Sequence, residues 1–137
     1  MKTAVCTIST KSHLFKSYAL LESVKTYSNA DLFCLTTDTS ENPALDFIHH
    51  SAMESLRSPQ AERIKQRYKN NPDKLRWALK PVYLKYLIES GYDRVIYVDN
   101  DIFFYASPDF LFEKLETATL LLTPHFYKAH PNKDQNW

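Results

Sequence analysis

The sequence predicts an α/β domain built on an open, mostly parallel sheet with flanking helices, and three observations carry that reading. Ala4 to Ser9 is a short apolar run of the kind that forms a buried strand. His13 to Tyr27 places apolar residues at Leu14, Tyr18, Leu21 and Val24, with Leu20 and Tyr27 beside them, which is helical spacing. Asp31 to Thr37 is a second β-type run, closed by Asp38. Strand, helix and strand in so short a span make a βαβ unit, which implies parallel strands joined by a right-handed crossover.

Beyond this unit the pattern weakens and then returns. Residues 53–70 are highly charged with scattered apolar positions, and read as an exposed helix or a loop. Asn70-Asn71-Pro72-Asp73 marks a break. Lys74 to Ser90 regains helical periodicity through Leu75, Leu79, Val82, Tyr86 and Leu87. Pro81 sits inside it and predicts a kink or a fresh helix start. Gly91 supplies the stop. Arg94 to Val98 then reads as the third strand, Phe110 to Leu115 as a short helix, and Ala118 to Thr123 as a further strand. The aromatic set Phe103, Phe104, Tyr105 and Phe110 is expected in the core. Pro124 to Trp137 is polar, with no expected element. The 137 residues read as one domain whose sheet lacks its second half, the chain being truncated at its carboxyl end.

Composition removes several functions. A net charge of +1 gives no electrostatic case for nucleic acid or an anionic membrane. No run reaches the apolar length of a membrane span, and no signal peptide is visible, so a cytoplasmic protein is expected, at most peripheral at a membrane. Cys6 and Cys34 read as small buried hydrophobes. The most telling count is glycine: Gly91 is the only one. A Walker loop or a Rossmann fingerprint needs several, because backbone must approach phosphate closely. A diphosphate bound here must be neutralised by side chains and a metal.

The residues equipped for that stand in Val95-Ile-Tyr-Val-Asp-Asn-Asp-Ile-Phe-Phe-Tyr105. Asp99 and Asp101 close an apolar strand and are followed at once by another apolar run. Carboxylates so placed call for a positive partner. A hard divalent cation with oxygen ligands suits them, Mg2+ or Mn2+ alike. In open α/β sheets ligands bind beyond the carboxyl ends of the strands, so Thr7, Ser9, Asp38, the two acids and Thr123 are expected to converge on one crevice.

Trp77-Ala-Leu-Lys80-Pro81, the run Gly91 to Asp101, Ser107-Pro108 and Leu122-Thr-Pro-His125 occur in this order. Together they resemble the amino-terminal, donor-binding half of a GT-A-type glycosyltransferase with a D-x-D motif, similar to the glycogenin and bacterial galactosyltransferase group. The likeness covers most of the chain and is weakest over residues 41–73. It implies that Asp99 and Asp101 hold the metal, with Asp99 also close to the ribose. It implies that Thr7, Ser9, Asp38, Lys80 and Asn100 serve the donor, a nucleotide-diphosphate sugar, UDP-sugars being favoured. His125 would face the acceptor, whether glycan, lipid or protein. The third metal ligand, the acceptor pocket and the catalytic residues are expected after residue 137.

Other roles stay open at this point. Lys80 reads equally as a helix-surface lysine, Asp38 as a turn cap, and Thr7 and Ser9 as strand packing. His49-His50 lacks a ligand pattern around it. An apolar strand ending in D-x-D also occurs in haloacid-dehalogenase-like phosphatases, whose later strand ends in Ser or Thr, as Leu120 to Thr123 does. Against that reading, Phe103 stands where that fold favours Thr or Val, and the acid-bearing strand comes third instead of first. A non-catalytic nucleotide-sugar-binding fragment is the remaining alternative.

Overall fold

The computed structural model describes residues 1–41 and 45–123. Among the described residues four strands form one sheet: β1 (Thr3–Ser9), β2 (Asp31–Thr36), β3 (His49–Ala52) and β4 (Arg94–Tyr97). Their order is β3-β2-β1-β4, and every pair is parallel. The βαβ expectation holds, with Ala4 opposite Asp31 and Ser9 opposite Thr36. Helix α1 (Leu14–Tyr27) packs on one face, and α2 (Pro59–Arg67) and α3 (Pro72–Glu89) on the other.

β1 is central and buried on both faces, which explains its continuous apolar run. Strand alternation sends Val5 into the α1-side core with Leu20, Leu21, Val24 and Cys34. Cys6 and Ile8 enter the opposite core with Leu75, Leu79, Tyr83 and Leu87. Those four α3 residues recur every fourth position and form the stripe that docks the helix. Tyr83 therefore takes the buried place expected of Val82 and Tyr86, and Tyr86 is exposed.

Two helices start on side-chain caps. Ser58 Oγ accepts from Ala61 N–H at 3.1 Å, and Asn71 Oδ1 accepts from Lys74 N–H at 3.1 Å, each ahead of a proline in the first turn. No fresh helix starts at Pro81: α3 runs through it. Pro81 lies on the exposed side, so only the Trp77 carbonyl loses its helical donor while the buried stripe stays docked. The helix ends where expected. Gly91 has φ +98°, with Gly91 N–H bonded to Ile88 O and Tyr92 N–H to Leu87 O, a Schellman closure.

Two expectations fail, and one strand went unread. Residues 118–123 form no strand, and Leu120 and Leu122 are exposed, the latter at 82%. A segment becomes a strand only when its backbone bonds to a neighbour; these six residues pair with no strand, and among the described residues the outer edge of β4 stays unpaired. The aromatic set is not core: Phe103, Tyr105 and Phe110 are exposed, and only Phe104 packs against the α1-side core. β3 went unread because His49-His-Ser-Ala52 is a polar, partly exposed edge strand. The short helix near residue 110 is present as α4 (Asp109–Lys114). Among the described residues no helix is long and apolar enough to cross a membrane.

Candidate functional site

From β1 the chain moves to β2 and β3 on one side, then returns through α2 and α3 to place β4 on the other. The strand order thus reverses between β1 and β4. In open sheets ligands bind in the crevice beyond the carboxyl ends of the strands at such a switch point; here the chain after β4 turns to the α1 face, where Phe104 and Phe112 pack. Asp99-Asn100-Asp101 lies in the loop directly after β4, at that crevice.

A cleft of about 250 Å³ lies there, lined by Ile8, Arg76, Trp77, Lys80, Tyr97, Asp99, Asn100 and Asp101. Two supports build it. α3 presents Arg76, Trp77 and Lys80, whose spacings of three and four residues place them on neighbouring turns of one face. β4 and its loop present Tyr97 and Asp99, two apart and hence on the same side of the extended chain. Trp77 is 62% exposed on the rim.

Asp99 Oδ1 is the centre of this constellation. It accepts from Lys80 Nζ at 2.7 Å and from the Tyr97 hydroxyl at 3.1 Å. The Lys80 ammonium also lies 4.8 Å from the Tyr97 ring centre, in cation–π range. Burial, and then the charge of Asp99 and the bond donated to it, hold the Tyr97 hydroxyl well above the ordinary tyrosine range. Tyr97 is therefore a fixed donor at neutral pH. Arg76 pairs with Asp73, while its Nε–H is buried with no partner among the described residues. That leaves a spare donor on a residue of the cleft wall.

Asn100 turns its amide the other way. Its Nδ2 donates to Ser9 Oγ at 3.3 Å and lies 3.5 Å from Ser17 Oγ. These bonds tie the acidic loop to the end of β1 and to α1, so Asn100 positions the two acids.

The cleft thus gathers Asp99, Asp101, Asn100 and Lys80 of the residues singled out in the sequence. It does not gather Thr7, Ser9 or Asp38. Thr7 is 0% exposed on the α1 side of β1, and its hydroxyl has no partner among the described residues. Ser9 is fully buried, donates to Thr10 O and accepts from Asn100. Asp38 Oδ1 accepts from Lys11 N–H at 2.7 Å and so caps the turn after β1. The reason is strand alternation: Thr7 and Ser9 face α1, whereas the cleft opens on the α3 side, where Ile8 points. Thr123 closes no strand, and His125 lies outside the described residues. Arg76, Trp77 and Tyr97 were not singled out, although helical and strand spacing from Lys80 and Asp99 marks all three.

Two hard carboxylates on one open cleft fit a divalent cation that fills its remaining positions with water and phosphate oxygens. Among the described residues no group of three His, Cys, Asp or Glu side chains is assembled, so Asp99 and Asp101 stand as a pair.

The chain is similar to two proteins of Bacillus subtilis strain 168, each named only as uncharacterized. It is 26% identical to YfnF over 129 residues, which is 90% of this chain and 43% of that protein. It is 26% identical to YfnD over 127 residues, 87% of this chain and 40% of that protein. The chain therefore spans about two fifths of the length of these relatives. No protein-family model matches it.

Proposed function

We propose that this chain is the donor-binding part of a metal-dependent glycosyltransferase of the GT-A type, taking a nucleotide-diphosphate sugar, with UDP-sugars favoured. The observation that carries the reading is the cleft at the β1/β4 switch point, where two carboxylates face two cationic side chains and an exposed tryptophan. Asp99 and Asp101 would hold Mg2+ or Mn2+, which when bound supplies Lewis-acid stabilisation of a leaving diphosphate. Lys80 and Arg76 would meet phosphate oxygens as charge-assisted donors. Trp77 offers a flat apolar face for a base or sugar ring. The acceptor, the transfer chemistry and the whole protein's partners belong to the same proposal. The phosphatase alternative loses support, because the second strand it needs does not form at residues 118–123.

Thermal unfolding with UDP and Mn2+, separately and together, tests this. Wild type should be stabilised by the combination, by about 2.7 kcal/mol at ligand 100-fold above Kd. Asp101→Ala should abolish that gain while melting normally without ligand, because Asp101 is exposed and makes no side-chain hydrogen bond among the described residues. Survival of the gain in the variant refutes the role of Asp101.

A further inference from the structure

Lys80 sits on Asp99, the carboxylate that the proposed function assigns to a cation. Its Nζ is 2.7 Å from Asp99 Oδ1, and the same oxygen takes the Tyr97 hydroxyl at 3.1 Å. A cation and an ammonium cannot both hold one carboxylate oxygen at full strength. Arg76 is already matched by Asp73, which leaves Lys80 against two carboxylates in the cleft. A divalent cation alone turns that small negative surplus positive. A diphosphate alone deepens it.

We propose that Lys80 is a switchable counter-ion: it neutralises Asp99 when no cation is bound, and exchanges that carboxylate for a diphosphate oxygen when a divalent cation takes Asp99. Cation and diphosphate then enter cooperatively, each removing the charge imbalance the other creates. This rests on the function proposed above and adds to it the coupling between the two ligands. The geometry allows the exchange. The Lys80 stem is anchored on α3, its head lies over the Tyr97 ring, and its side chain is 29% exposed toward the cleft. A short swing of a four-carbon stem suffices. Tyr97 keeps hold of Asp99 Oδ1 throughout, so the carboxylate stays aimed after the ammonium departs.

The signature is a change of opposite sign for the two ligands. Binding of Mn2+ alone, and of UDP in saturating Mn2+, is measured by calorimetry for wild type, Lys80→Met and Lys80→Gln. Removing the ammonium removes a competitor, so both variants should bind Mn2+ alone roughly two- to fivefold tighter, the range of a partly exposed ion pair. They should bind UDP in Mn2+ at least about tenfold weaker, having lost a charge-assisted donor. Lys80→Gln keeps a polar head and carries the test if the methionine variant misfolds. Equal or weaker Mn2+ binding by a folded variant overturns the exchange and leaves the proposed function standing. A wild type that binds no UDP with Mn2+ overturns that function, and this coupling with it.

Discussion

Thr7→Val is the substitution that most sharply separates a ligand-lining role for β1 from a packing role. Thr7 is 0% exposed on the α1 side of the central strand, and its Oγ1 is buried without a partner among the described residues. A buried hydroxyl that makes no hydrogen bond costs about 1–3 kcal/mol relative to an apolar group of the same shape. Valine keeps the branch, the volume and the β-propensity while exchanging the hydroxyl for a methyl. The variant should therefore gain about 1 kcal/mol or more. At about 2.1 cal/mol/K of unfolding entropy per residue, a chain of 137 residues converts each kcal/mol into roughly 3–4 °C. Chemical denaturation, with the slope unchanged, gives the free energy, and a thermal scan gives the shift. Titration with UDP and Mn2+ should give the same affinity as wild type. A loss of about 1 kcal/mol, or a weakened titration, would refute the reasoning by showing that the hydroxyl is in use.

Two further perturbations read the core and the alkaline limit. Leu79→Ala empties a fully buried position in the stripe that docks α3, and should cost about 3–5 kcal/mol, measured by denaturant unfolding. Tyr92 is pushed up to about 12 by burial, then by the hydrogen bond it donates to Asp31 and by that carboxylate's charge. Its folded pKa lies above the unfolded value of about 10, so its contribution is complete below pH 10 and lost as pH rises from 10 through 12. Tyr97, also raised, acts in the same direction. Tyr92→Phe should flatten the fall in stability across that window, measured by unfolding at successive pH values; an unchanged fall would remove Tyr92 from the account.

What the sequence made legible follows burial. β1, β2 and β4 could be read because apolar β-type runs mark strands inside a sheet, and α1 because its apolar residues return at helical intervals. β3 and α2 lack that signal: His49 and His50 lie on an edge strand, and α2 buries only Ala61. The leucines at 120–122 show the converse failure, hydrophobicity with no partner to make it a strand. At the site, Asp99 and Asp101 were recognisable from residue type and position alone, whereas Lys80 was marked only by the resemblance. Thr7 and Ser9 were drawn in by standing near a strand end, but which face a strand-end residue serves is decided by the helix above it. Asn100 was expected to serve the donor, and its tie to Ser9 and Ser17 emerges only when β1, α1 and the acidic loop meet.

The sole glycine, Gly91, closes α3 ahead of β4, whereas the acids stand after that strand. The cleft is consequently lined by residues of α3, of β1 and β4 and of the loop after β4, with the glycine not among them. Under the proposed function, selectivity would be cheap to edit: an exchange at the exposed Trp77 would re-tune what is admitted while leaving the buried stripe of α3 intact.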